Sequence, residues 1–168
     1  MSSTMTEPQT APPEHTATER TGEDLSEIVT FAVGKQGFCI EIEHVLEIRG
    51  WTKTTVLPHA PEYVVGLMNL RGTVLPVIDL SLRLGLGKTE TTPRHVIIIT
   101  HVQDRTLGLL VEAVSDILSV RDGEMKPTPD VASPQTRAFI RGVYSVAESL
   151  VRAIDVHQVV PKADGLAA

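Results

Sequence analysis

The chain has 168 residues, 42% of them hydrophobic, a formal net charge of −6 and one cysteine, Cys39. A chain of this length buries one or two small cores, and its longest apolar runs, such as Val96 to Ile99 and Leu107 to Val111, fall far short of the roughly 20 residues of a membrane-spanning helix. A single cysteine excludes an internal disulfide and a thiolate metal cluster, and the N-terminus lacks the basic-then-apolar form of a secretory signal, so a cytoplasmic protein without membrane insertion is expected.

Residues 1–27 hold six acids (Glu7, Glu14, Glu19, Glu23, Asp24, Glu27) against Arg20. Rich in Thr, Pro and Glu, this segment has too little apolar surface to offset its ordering entropy and is expected to be a disordered acidic tail. The remaining body carries 15 acids and 14 bases. Near neutrality without a basic stripe gives no footprint for nucleic acid.

From Ile28 the pattern is strands and tight turns. Ile28 to Val33 is a β-rich run, Gly34-Lys35-Gln36-Gly37 a turn, and Phe38, Ile40 and Ile42 alternate with Cys39 and Glu41, which together predict a hairpin. A short strand follows at Val45 to Arg49, then a proline-marked loop from Leu57-Pro58 to Pro61. Val64 to Leu70 and Thr73 to Ile78, joined by Arg71-Gly72, predict a second hairpin, with Pro76 restricted to a bulge or an edge. Asp79 precedes a short helical stretch, Leu80 to Leu84.

The pattern then repeats. Val96 to Thr100 and Leu107 to Val111 flank Gln103-Asp104; Val114 to Val120 follows; Pro127 to Pro134 is a loop; Phe139 to Ser145 and Leu150 to Ile154 flank Ala147-Glu148-Ser149; and Asp155 precedes a helical stretch, His157 to Val160. A shift of 69 residues places Val45 on Val114, Glu47 on Asp116 and Ile48 on Ile117. Seven further residues in the second copy place Gly66 on Gly142 and Asp79 on Asp155. The duplication divides the body, 28–160, into halves of about 28–92 and 93–160, with exchange of strands between them left open and 161–168 as a C-terminal tail. About ten short strands suggest two small barrels, and the groove between them is where function is sought. Cys39 and its counterpart Gly108 are both small, which predicts close packing and a buried, unreactive thiol.

No catalytic constellation emerges. The six histidines show no metal-ligand spacing and form no set with a nucleophile and a carboxylate. Gly87-Lys88-Thr89 echoes the end of a phosphate loop, but Leu82 stands where its first glycine is required. The chain is therefore read as a non-enzyme with no catalytic residue, cofactor or metal; a small-molecule-binding barrel would instead show a deep polar cavity or a perturbed titratable cluster. Trp51 and Met68 are core residues or recognition anchors.

Gly66-Leu67-Met68-Asn69-Leu70-Arg71-Gly72-Thr73-Val74-Leu75-Pro76-Val77-Ile78-Asp79-Leu80 closely resembles the signature of the CheW family, the coupling proteins of bacterial chemotaxis. Support comes from Phe38 to Ile42 with Val45 to Gly50, from Leu57-Pro58, and from Gly108 to Leu118; the resemblance runs from about Ile28 to Val160. It implies an all-β fold of two small five-stranded SH3-like β-barrels packed side by side around a shared hydrophobic centre, with short helices. It also implies a scaffold linking the cytoplasmic hairpin tip of chemoreceptors to the regulatory domain of the histidine kinase CheA in membrane-associated arrays. The same scaffold would serve another chemosensory pathway, controlling pilus motility or gene expression.

By the family's pattern a receptor helix docks between the barrels and the kinase contacts one barrel's surface. The positions expected at the receptor are Val45, Val114, Ile117 and Arg71, whose planar head suits a carboxylate. Those expected at the kinase are Glu47, Arg49 and Gly66. Read without the family, Arg71 is a solvated turn residue, Glu47 and Arg49 a solvated strand face, and Gly66 either a backbone necessity or a point of close approach. Ser81 and Leu84 depart from the arginine and phenylalanine common in the family, and no role is carried to Ser81.

Overall fold

The computed structural model describes residues 25–129 and 133–161. Most of the expected N-terminal tail and nearly all of the C-terminal one lie outside the described residues. Ten strands follow in order: β1 (Leu25–Val33), β2 (Gln36–Glu41), β3 (Val45–Gly50), β4 (Val64–Leu70), β5 (Thr73–Asp79), β6 (Val96–Val102), β7 (Arg105–Val111), β8 (Ala113–Arg121), β9 (Ile140–Val146) and β10 (Ser149–Ile154). Short helices α1 (Leu80–Arg83), α2 (Pro134–Arg137) and α3 (Val156–Val159) intervene, with 3-10 turns at Ile42–His44 and Asp122–Glu124. The first strand begins at Leu25 rather than Ile28, because Leu25, Ser26 and Glu27 pair with Arg121, Val120 and Ser119 of β8.

All four hairpins turn through two residues with positive φ: Gly34 and Lys35, Arg71 and Gly72, Gln103 and Asp104, Ala147 and Glu148. That is the type I′ pattern, whose twist matches the strands it joins. It shortens the first and last turns relative to the sequence reading, since Gln36 and Ser149 already belong to strands. Asp79 caps α1 by accepting from Leu82 N and also accepts two bonds from Thr89, at 2.8 and 2.6 Å. Its counterpart Asp155 caps α3 through His157 N. Helix α2 falls inside the segment read as a proline loop, capped by Ser133 with Pro134 at its first turn.

The strands form two five-stranded sheets, ordered β8-β1-β2-β10-β9 and β3-β6-β7-β5-β4. The first hairpin of each half has crossed over. Strands β1 and β2 complete the sheet of β8, β9 and β10, while β6 and β7 complete that of β3, β4 and β5. The joins are short parallel pairings, Arg152 and Ala153 with Phe38 and Cys39, and Val77 to Asp79 with Gly108 to Leu110. Neither sheet closes into a hydrogen-bonded ring. Instead the chain leaving the edge strand bends back to the opposite edge, where Thr55 exchanges two bonds with Leu67 at 2.8 and 2.7 Å and Lys126 two with Val143 at 2.8 Å.

Burial divides in three. Each sheet encloses its own small core: Met68, Leu75, Val77, Ile97, Ile99 and Leu110 in one, and Ile28, Cys39, Val120, Tyr144, Val151 and Ala153 in the other. Trp51 packs against the first of these cores. Between the sheets lies a larger shared cluster with Phe31, Phe38, Ile78, Leu84, Ile98, Leu109 and Val156. Leu84 is wholly buried there, so it fills the shared core in place of an aromatic ring. Cys39 is also wholly buried, and desolvation pushes its thiol up to about 12. At Gly108 an added Cβ would lie 2.7 Å from Ile97 Cγ2, which accounts for the glycine at that position.

Candidate protein-docking site

Cross-strand register decides which way the edge strands point. In β3, Glu47 and Arg49 sit opposite Ile99 and Ile97, which line the small core of their own sheet, so those two charged side chains share its face. Ile48 sits opposite Ile98, a member of the shared cluster, and so faces the region between the sheets. In β8, Leu118 sits opposite Ile28 of the small core, which puts Ile117, opposite Val29, on the inter-sheet face. Ile48 and Ile117 are equivalent under the repeat, stand on edge strands, and are both exposed, at 40% and 55%. Leu46, 58% exposed, lies two residues before Ile48. Val45 and Val114, also equivalent, are half-buried and pack against the shared cluster. Edge strand β3 thus presents Leu46 and Ile48, and edge strand β8 presents Ile117, as exposed apolar side chains, with Val45 and Val114 seated deeper.

Arg71 is not part of this set. From the β4–β5 turn its Nη2 donates to Glu47 Oε2, while Arg49 Nη1 donates to Glu47 Oε1 at 3.3 Å. The structure therefore joins Arg71, expected at the receptor, to Glu47 and Arg49, expected at the kinase, in one cluster on the opposite face of β3. The hydrogen bond from Arg71, with Arg49 beside it, holds the Glu47 carboxyl below its ordinary value and raises the Arg71 guanidinium correspondingly. Arg49 Nε is buried and has no acceptor.

Gly66 belongs to neither surface. It is buried, and a Cβ there would lie 2.5 Å from the Thr55 carbonyl oxygen, in the bridge that ties the sheet's two edges. Gly142 stands in the same relation to the Lys126 carbonyl, at 2.6 Å. The glycine requirement is met inside the chain, by the close approach of the Thr55 carbonyl. Leu46 and Ile48 were missed. The alternation in Val45-Leu46-Glu47-Ile48-Arg49 was visible, but alternation alone does not say that the charged positions face a barrel's interior and the apolar ones its outside.

Elsewhere, a polar cavity of about 310 Å³ is lined by Glu41, His44, Arg141, Asp155 and His157. Its charges are engaged with one another: Glu41 lies 3.4 Å from Arg141 and 3.8 Å from His44. Among the described residues, no three His, Cys, Asp or Glu side chains are placed to hold a metal ion, and no helix is long and apolar enough to cross a membrane.

Comparison with known proteins places this geometry. The CheW-like domain family matches residues 27–164. The chain is 50% identical over 142 residues to the chemotaxis protein CheW of Rhizobium meliloti, covering 84% of this chain and 92% of that one. It is 33% identical over 147 residues to the CheW of Bacillus subtilis, covering 88% and 92%. Its fold is similar to the crystal structure of the scaffolding protein TtCheW from Thermoanaerobacter tengcongensis, with a TM-score of 0.74, 29% identity, and coverage of 83% of this chain and 90% of that one.

Proposed function

The chain belongs to the CheW family of chemotaxis scaffold proteins, and on that premise we propose that it couples chemoreceptors to the histidine kinase CheA. The observation that carries the proposal is the pair of exposed, repeat-equivalent isoleucines, Ile48 and Ile117, flanking the shared core. Exposed apolar side chains with half-buried valines beside them suit an amphipathic helix, which lays its apolar stripe into such a groove. The receptor's hairpin tip binds there, against Val45, Val114 and Ile117 with Leu46 and Ile48. The kinase's regulatory domain takes the other face of β3, at Glu47 and Arg49, and the ion pair of Arg71 with Glu47 supports assigning Arg71, expected at the receptor, to that face as well. The protein acts by holding both partners, without catalysis, and is recruited from the cytoplasm to receptor arrays.

The test is calorimetry of the full chain with a receptor hairpin fragment and, separately, with a CheA regulatory domain. Wild type binds each with a dissociation constant near micromolar, about −8 kcal/mol. Ile117→Glu weakens receptor binding at least tenfold and leaves kinase binding within about twofold. Equal losses for both partners, or none for either, would refute the assignment of the groove.

A further inference from the structure

A cavity of about 340 Å³ opens where the two halves meet. Gln36, the first residue of β2, and Leu86, which follows α1, wall it from the first half; Val143, Leu150 and Arg152 of β9 and β10 wall it from the second. Its frame is tied across the halves: the buried Thr136 donates Oγ1 to Leu84 O at 2.8 Å, and Ser133 Oγ donates to Thr136 Oγ1 at 3.0 Å. Among the described residues that line it, Arg152 carries the one charge and none is acidic. The guanidinium lies 5.7 Å from the centre of the Phe38 ring and makes no hydrogen bond or ion pair with a described residue. Arg83 and Arg105, half-buried like Arg152, do find acceptors, the first at Val159 O and Gln158 O, the second at Pro161 O. A half-buried guanidinium with five N–H donors and no acceptor, in a cavity at the small end of the ligand-pocket range of about 300–1,000 Å³, calls for an anion.

The duplication supplies an internal control. The counterpart of Arg152 is Pro76, and that of its cross-strand neighbour Val143 is Leu67, which pairs with Pro76 in the same way. The other sheet thus forms with no cation at this position. Gln36 and Gly85 have Arg105 and Pro161 as counterparts, and there the arginine is satisfied by the proline carbonyl. In the cavity the arginine stands on β10 instead, and no acceptor of a described residue reaches it. The fold does not require the Arg152 charge, which leaves that charge for a ligand.

We propose that this cavity binds a small monocarboxylate that has an apolar body and carries no ammonium group, with Arg152 holding the carboxylate. The planar guanidinium matches a carboxylate bidentately. One cation balances one negative charge, so a phosphate monoester, nearly doubly charged at neutral pH, would bring in a charge with no partner. An amino acid would do the same with its ammonium, because the described lining offers no carboxylate. Leu86, Val143 and Leu150 supply the apolar wall, and the Gln36 amide and Thr128 hydroxyl, also in the lining, can take a further oxygen such as that of a 2-oxo acid. A bound acid touches Gln36 and Leu86 of one half and Arg152 of the other, so the site acts across the seam, beside the chain's scaffold role.

The test is NMR of the full chain, followed at side-chain methyls and arginine Nε–H groups, during titration with 4-methylpentanoate. The methyls of Leu86, Val143 and Leu150 and the Arg152 Nε–H shift together and saturate, with a dissociation constant of about 1 mM or tighter, as so small a ligand allows. The neutral 4-methylpentanamide, leucine, which adds an ammonium, and 3-methylbutyl phosphate each bind at least about tenfold more weakly. Arg152→Gln weakens the acid by about tenfold or more, whereas Arg121→Gln, at an exposed arginine of the same sheet, shifts its binding by less than about twofold. Gln36→Glu, a near-isosteric change that places a carboxylate in the lining, weakens the acid with Arg152 intact, and keeps the question decidable if Arg152→Gln does not fold. The absence of a saturable shift with 4-methylpentanoate, or equal binding by Arg152→Gln or Gln36→Glu, refutes the site. Amide or leucine binding as tight as the acid, or tighter binding of the phosphate, overturns the monocarboxylate assignment.

Discussion

Removing the Arg83 guanidinium tests how the two sheets are held against each other. Arg83 ends α1, which follows β5, while the carbonyls it reaches belong to α3, which follows β10 in the other sheet. Its Nε donates to Val159 O at 3.1 Å and its Nη2 to Gln158 O at 3.2 Å. The same group lies 4.2 Å from the Tyr63 ring centre and 5.0 Å from that of Phe139. Tyr63 and Phe139 are equivalent under the repeat, as are Arg83 and Val159, so one arginine crosses the local pseudo-twofold and ties each half to its counterpart. A hydrogen bond from a charged donor contributes about 1.5–3 kcal/mol and a cation over a ring about 0.5–2 kcal/mol. Arg83 is only half-buried, so the low ends apply, and the two hydrogen bonds alone put the cost of Arg83→Ala at about 3 kcal/mol. Arg83→Lys keeps the charge but loses the fork and the planar stacking, and about half that cost remains. The assay is equilibrium urea unfolding of the full chain, where the midpoint falls at constant slope and the melting temperature drops by about 6–12 °C for alanine. A loss below about 0.5 kcal/mol for Arg83→Ala, the range of an ordinary surface substitution, would mean that the sheets are held by the shared apolar core alone.

Gly66→Ala and Gly142→Ala each push a methyl against the carbonyl of the closing bridge, at 2.5 and 2.6 Å, and each is expected to destabilise by about 2–3 kcal/mol in the same assay. Cys39, buried and with its thiol pushed up to about 12, should resist thiol-labelling reagents at pH 9 in the native protein and react at once in urea. Because that value lies above the unfolded one, any stability linked to this thiol is present below the unfolded value and fades as pH rises toward 12. The Glu47 carboxyl, lowered mainly by Arg71, shows the opposite sign. Its contribution is present above the ordinary glutamate value and is lost as pH falls through the lowered one; side-chain carboxyl NMR of Glu47 in wild type and Arg71→Gln should show the midpoint move upward in the variant.

The hairpins were legible because each is written locally: apolar alternation, a two-residue break, and alternation again. Val64 to Leu70 with Thr73 to Asp79 matches the sequence reading to within one residue. The shared centre and the two lesser cores also agree with the doubled all-β fold. The crossing of hairpins was not decidable, and the reason lies in the duplication itself. The pairing of Val77 with Gly108 and that of Ala153 with Cys39 join equivalent positions of the two halves. Either hairpin offers each sheet a similar apolar edge, so the pattern of one chain does not choose between them. The Arg71–Glu47 pair spans 24 residues of sequence and was invisible for a different reason. It depends on both edges of an open sheet being brought together by the bridge at Thr55 and Leu67.

That crossing bears on how a scaffold passes on a mechanical event. Strand β3, which carries Ile48 on one face and the charged cluster on the other, pairs with β6, a strand contributed by the opposite half. On the inter-sheet side β6 places Ile98 in the shared core, beside Phe31 and Phe38 of the first hairpin; on the other side it places Ile97 and Ile99 in its own sheet's core. On the reading proposed above, a helix seated against Ile48 would load the same strand whose reverse face carries Glu47, Arg49 and the bond to Arg71. A packed core transmits displacement instead of absorbing it, since interiors have crystal-like density. Neither half has all the strands of either sheet, so neither sheet can be assembled from one half. Positions kept between the halves, Val45 with Val114 and Ile48 with Ile117, give the two edge strands a similar apolar character. Those that differ, Arg71 against Ala147 and Arg49 against Leu118, mark one sheet as distinct from the other.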